Sequence, residues 1–189
     1  MTFANKVTLF RIVSIPFFVA CLAFYTPERA FLKWAALAVF LLAAVSDAID
    51  GAIARSHRQK TPAGAILDPV ADKILLITAF LLLYHVARLH LTVALPLWVV
   101  ILVVSRDVII LLGGALVLMV NKSKMIAPTW WGKATTFFQM ATVIGILLEV
   151  PAVRIVWWVT CLLTAVSGVD YARRGIHALN ESQPPVKTC

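Results

Sequence analysis

Six apolar stretches, each close to the length of a bilayer crossing, limit most severely what this chain can fold into. They run roughly over 8–25, 31–49, 72–88, 92–120, 130–149 and 152–171. A helix needs about 20 apolar residues to span the hydrocarbon core. Composition agrees with that reading. The chain is 61% hydrophobic and 14% charged, whereas a soluble domain is about 45–50% apolar and about 25% charged. The expectation is an all-α integral membrane bundle of six transmembrane helices. Residues 1–179 then form one domain, and 180–189, polar with two prolines, is expected to be a disordered tail.

The fourth stretch is long for one span. Pro96 is a natural start for it, and Arg106-Asp107 interrupts its middle. It is read as one long helix facing a polar cavity; two short helices there would invert everything downstream. Loop charges arbitrate through the positive-inside rule. With six spans, one side receives Lys6, Arg11, Arg55, Arg58, Lys60, Lys122, Lys124, Lys133, Arg173, Arg174 and Lys187. The other receives Arg29, Lys33, Arg88 and Arg154. Lys73 and Arg106 lie within spans and are not counted. This asymmetry predicts both termini, and the 55–64 loop, on the cytoplasmic side. Lys6 before an apolar run resembles a signal peptide, but Arg11 and Pro16 break the run and no clean cleavage site follows, so a mature helix is expected.

Net charge is +8 and the pI is near 9.8. The bases lie between apolar runs, which points to orientation and anionic-lipid contact rather than nucleic acid. Cys21, Cys161 and Cys189 show neither a disulfide framework nor zinc spacing.

Four of the nine acidic residues crowd into 26 positions: Asp47, Asp50, Asp68 and Asp72. Each lies at or beside the end of an apolar stretch, where an ionisable group costs ~2.5–3.5 kcal/mol to insert. Asp47 and Asp50 are spaced i, i+3 and share a helix face; Asp68 and Asp72 are spaced i, i+4 and do the same. The link from Gly51 to Gly64 lets the two helices lie antiparallel, so the two pairs can face each other. Hard oxygen ligands on two rigid helices suit Mg²⁺ or Mn²⁺. A plainer reading makes some of them caps, and Asp68-Pro69 does resemble an N-cap with proline at the first helical position. Capping does not account for two helix-spaced pairs. Gly51 and Gly64 allow close approach of a ligand to backbone, and Arg55, one turn beyond Gly51, can reach a diphosphate that the metals also hold.

Asp47-x-x-Asp50-Gly51-x-x-Ala54-Arg55, eight residues, then Gly64-x-x-x-Asp68-x-x-x-Asp72 resembles the full motif of the CDP-alcohol phosphotransferase family at every fixed position. The resemblance implies a six-helix membrane enzyme with its active site in a polar cavity on the cytoplasmic side. It implies that Asp47, Asp50 and Asp68 bind a pair of metal ions, and that Asp72 is both ligand and general base. Gly51, Arg55, Gly64 and Thr61 would line the site for the CDP group. Asn5 and Thr8 resemble an N-terminal element that closes over CDP-diacylglycerol. A homodimer in the bacterial inner membrane is implied as well. A nucleophile–histidine pair is a poor rival, because Ser56-His57 lies in the motif loop with no evident third partner. A transporter would usually show paired broken helices in two related halves, and the acids here cluster in one region.

Two subfamilies stay open for the acceptor alcohol. Asn5 to Arg11 and Leu67 to Lys73 are similar to phosphatidylglycerophosphate synthases and to cardiolipin synthases. Ser105-Arg106-Asp107 looks more like the latter, since glutamate commonly follows the arginine in the former. Arg106 and Lys133, buried or interfacial bases, suit the phosphate of glycerol 3-phosphate and equally the headgroup phosphate of phosphatidylglycerol. Glycerol 3-phosphate is favoured. Adjacent helical residues point about 100° apart, so an Arg106–Asp107 pair is expected to be geometrically poor.

Overall fold

The computed structural model describes the backbone of residues 3–57, 62–120 and 129–180, and the side chains of residues 9–46, 70–114 and 129–174. These residues form six α-helices and one 3-10 turn: α1 (Phe3–Ala23), the turn Pro27–Arg29, α2 (Phe31–His57), α3 (Pro62–His90), α4 (Leu97–Val120), α5 (Trp130–Leu147) and α6 (Val153–Asn180). The fourth apolar stretch is one helix, as expected, and it begins directly after Pro96. Three described stretches are long and apolar enough to cross a membrane: Val70–His90, Leu97–Gly114 and Val153–Arg174. Leu9–Ala23 and Phe31–Ser46 are shorter apolar helical pieces. The polar tail expected over 180–189 lies, apart from Asn180, outside the described residues.

The first stretch is helical, as expected, and α1 runs through Pro16 from Phe3 to Ala23. One missing backbone donor is tolerated within an otherwise continuous helix. Two local expectations are corrected. The connection between the acidic pairs is much shorter than the span from Gly51 to Gly64. Helix α2 continues to His57 and α3 starts at Pro62, so Gly51 and Arg55 belong to α2 and Gly64 to α3. Asp68 is therefore not an N-cap. Pro62 takes the first helical position, where a missing N–H costs nothing, and Asp68-Pro69 sits inside the helix.

Helix α1 packs against both α2 and α3; α3 packs against α4 and α5, and α6 against α4 and α5. Phe18 of α1 and Phe40 of α2 meet with ring centroids 5.8 Å apart. With Leu76, Phe80, Leu83, Val99 and Ile146 they lie in a fully buried core. Many large apolar side chains are exposed instead, among them Phe17, Leu112 and Leu162. An apolar exterior of this kind suits a lipid solvent, in which outward Leu and Phe carry no penalty.

The α5–α6 seam is joined by buried hydroxyls. Thr142 and Thr160 meet Oγ1 to Oγ1 at 2.9 Å. Thr160 also donates to the Phe138 carbonyl at 3.1 Å, and Thr135 to that of Leu163 at 3.2 Å. Small polar residues bring membrane helices close and hydrogen-bond across them. Thr129 caps α5, its hydroxyl accepting from Gly132 N at 3.1 Å.

At the other end of α5 the chain reverses through Glu149, whose φ of 55° lies in the left-handed region. Val150 N donates to the Gly145 carbonyl and Glu149 N to that of Ile146, each at 3.0 Å. This is a Schellman closure with glutamate where glycine is usual. The Glu149 side chain shows why. It accepts from Lys33 Nζ at the start of α2. It also accepts from Thr92 N at 3.2 Å and Thr92 Oγ1 at 2.9 Å. One carboxylate thus ties together three connections on one face of the bundle, the face opposite the acidic motif. Trp98, Trp157 and Trp158 cluster at the starts of α4 and α6, with Trp157 stacked on Trp158 at 4.9 Å. That placement resembles an interfacial aromatic belt.

Candidate functional site

The backbone carries Asp47 and Asp50 in the C-terminal half of α2, and Asp68 and Asp72 in the N-terminal half of α3. Of the four, only Asp72 has a described side chain, and it is half-buried. The side chains of Asp47, Asp50, Gly51, Arg55, Gly64 and Asp68 lie outside the described residues, as do those of Asn5 and Thr8 and the whole of Thr61. Among the described residues no group of three or more His, Cys, Asp or Glu comes together.

One turn into the described part of α3 lies a polar cluster that the sequence reading did not assemble. Lys73, the residue after Asp72, is buried and donates to Asp107 Oδ1 of α4 at 3.0 Å. Arg106 Nη1 donates to the same oxygen at 2.7 Å. Gln139 Nε2 of α5 donates to Asp107 Oδ2 at 3.2 Å, and Lys73 Nζ also reaches Thr136 Oγ1 at 3.3 Å. On the far side Arg106 Nη2 donates to Ser167 Oγ of α6. Asp107 is completely buried, and Arg106 is 6% exposed.

The expectation of a poor Arg106–Asp107 pair is therefore wrong. The 100° between neighbours describes where their Cβ atoms point. A guanidinium at the end of a long flexible stem can turn back across that angle. Two glycines line its path. A Cβ on Gly132 would lie 3.6 Å from Arg106 Nη2, and one on Gly168 would lie 3.7 Å from Arg106 Cγ. The arginine side chain thus runs between α5 and α6 where both helices are narrowest.

Lys133 is one residue beyond Gly132, yet its side chain is exposed. Among the described residues it forms no ion pair, and it is not joined to Arg106. The two bases expected to act together thus differ in environment. The sequence did hold a signal for the missed cluster. Lys73, Arg106 and Asp107 are charges inside apolar helices, and such charges pair with one another. Leaving Lys73 uncounted, and expecting adjacent Arg106 and Asp107 to pair poorly, hides this cluster from the sequence.

A family model described as CDP-alcohol phosphatidyltransferase matches residues 1–166. Members of that family generally depend on a divalent metal. A Haemophilus influenzae protein named CDP-diacylglycerol–glycerol-3-phosphate 3-phosphatidyltransferase is 34% identical over 171 residues, covering 87% of this chain and 88% of its own length. A Yersinia enterocolitica protein of the same name is 38% identical over 146 residues, 74% of this chain and 73% of its own length. A Mycobacterium tuberculosis protein named "Probable phosphatidylglycerophosphate synthase" is 34% identical over 181 residues, 92% of this chain and 81% of its own length.

Proposed function

The chain belongs to the CDP-alcohol phosphatidyltransferase family, and from that premise we propose that it transfers a phosphatidyl group from CDP-diacylglycerol to glycerol 3-phosphate, releasing CMP. The observation that carries this reading is the complete motif from Asp47 to Asp72, in a chain whose relatives are named for that reaction. Asp47, Asp50, Asp68 and Asp72 would hold two Mg²⁺ or Mn²⁺ ions, since carboxylates on two rigid helices are the hard donors such ions take. When bound, the ions supply neutralisation of the diphosphate and of the charge on departing CMP.

Asp72 takes the proton of the attacking hydroxyl. Gly51 and Gly64 let the CDP group approach the backbone, with Arg55 and Thr61 beside it, and Asn5 and Thr8 close over the lipid substrate. Arg106 and Lys133 hold the phosphate of the acceptor. In-line attack then needs positioning more than covalent chemistry. The protein works as a homodimer with six crossings, in the bacterial inner membrane, its site facing the cytoplasm. Phosphatidylglycerol is the second acceptor to consider, because Asp107 stands where glutamate commonly follows the arginine in the synthases.

The test is CMP release by the purified protein with CDP-diacylglycerol and a panel of alcohols. Glycerol 3-phosphate is expected to be the best acceptor, with release abolished by chelator and by Asp50→Asn. Full release in chelator would remove the metals from the mechanism. Preference for phosphatidylglycerol would reassign the acceptor.

A further inference from the structure

The Asp107 cluster holds two cations and one carboxylate in a buried setting. All of Asp107 is committed: Oδ1 accepts from Lys73 and Arg106, and Oδ2 accepts from Gln139. A carboxylate so occupied is a poor base and a poor metal ligand. It is well suited to holding other groups in place. What it holds is asymmetric. On one side is Lys73, which directly follows the motif residue Asp72 on α3. On the other is Arg106 on α4, which Ser167 of α6 also orients.

Among the described residues the cluster keeps one positive charge in excess. Arg106 Nε is buried without a hydrogen-bond partner there, and so is Gln139 Oε1. A buried donor left unmatched is costly. A guanidinium with its plane fixed and donors to spare is a receptor for the oxygens of a phosphate.

We propose that Asp107 is the positioning residue for the acceptor's phosphate: by holding Lys73 and Arg106 on one carboxylate oxygen, it sets the acceptor-binding guanidinium at a fixed place relative to the helix that carries Asp68 and Asp72. The inference rests on the proposed phosphatidyl transfer to a phosphate-bearing alcohol. It adds that the separation between the reacting hydroxyl and the phosphate of the same acceptor is measured out by this clamp. Gln139 fixes the second oxygen, so the carboxylate cannot rotate and release one cation. A purely structural pin would use the same contacts and would leave acceptor affinity alone.

That difference is measurable in detergent-purified full-length protein, with KM for each substrate determined separately. In Asp107→Asn the clamp loses its charge and one amide nitrogen faces the cations. KM for glycerol 3-phosphate should rise at least about tenfold, which is the loss of roughly one charge-assisted contact, while KM for CDP-diacylglycerol stays within about twofold. Asp107→Glu restores the charge on a longer stem and should fall between wild type and Asp107→Asn in acceptor KM. Glu149→Gln, at the opposite end, should leave both KM values alone. An unchanged acceptor KM in Asp107→Asn, or equal rises for both substrates, overturns the assignment. If Asp107→Asn does not fold, Asp107→Glu decides, and an unaltered acceptor KM there has the same force. Failure of the acceptor assignment looks different: the wild type itself would then prefer phosphatidylglycerol, and the same KM split would be read with that phosphodiester.

Discussion

Two carboxylates, Asp107 and Glu149, each gather a lysine and other donors from several elements, yet they sit in contrasting surroundings. Lys73 and the end of α3 are separated by 17 residues, about 25 Å along the helix, so the two knots belong to different ends of the bundle. Asp107 is completely dry and holds two cations. The Glu149 side chain is 24% exposed and holds one lysine and the neutral Thr92. At Glu149 the charges cancel and water reaches the pair, so nothing further is required there; the knot closes three connections and fixes a left-handed residue. At Asp107, among the described residues, two cations share one carboxylate. Buried charge without a counter-charge is costly, which is why that cluster is the proposed seat of an anion.

The sharpest way to break this contrast is to remove each carboxylate. Asp107→Ala leaves two buried cations facing each other and should cost about 3–5 kcal/mol, seen as a large drop in thermal midpoint in detergent. A loss below about 1 kcal/mol would mean that the cations rehydrate, and the dry end would be no different from the wet one.

Glu149→Gln should cost much less, about 0.5–1.5 kcal/mol, with CMP release within twofold of wild type. Its pH dependence is a finer test. The hydrogen bond from Lys33, then that from Thr92, holds the Glu149 carboxyl below its ordinary value of 4.5. A depressed folded-state pKa adds stability that is fully present above the unfolded value and is lost as pH falls through the folded one. The stability gap between wild type and Glu149→Gln should therefore be constant near neutrality and close below about pH 4.5. A gap that persists in strong acid would assign the effect to shape rather than charge.

Ser167→Ala should cost about as much stability as Glu149→Gln, about 1 kcal/mol, but because it removes one acceptor from Arg106 Nη2 it should also raise the acceptor KM a few fold. An activity profile identical to that of Glu149→Gln would move Ser167 to the structural side of the comparison.

Much of this was legible before any coordinates. Hydropathy alone marked the helices, and the start of α4 at Pro96 follows from proline chemistry. The spacing of Asp47, Asp50, Asp68 and Asp72 depends only on helical geometry, because residues on one helix keep their relation wherever the helix goes. Reading Gly51 and Gly64 as the ends of a link makes the connection between α2 and α3 too long. In this chain Gly51 and Gly64 lie within helices, so neither makes the chain reversal. Asp68-Pro69 failed for a related reason: a capping signature is local, and Pro62 took the first helical position upstream.

What the sequence by itself determined is therefore what each helix owns: its existence, its apolar character and the carboxylates it presents at fixed spacing. What only the tertiary structure decided is which charges meet. Lys73 and Asp107 are 34 residues apart, and Arg106 and Ser167 are 61 apart; no periodicity links them. Arg106 and Asp107 pair within α4, but the groups that complete the cluster, Lys73 of α3, Gln139 of α5 and Ser167 of α6, are chosen by packing. Only the packed bundle shows that Arg106 joins Asp107 and Ser167 while Lys133 is exposed.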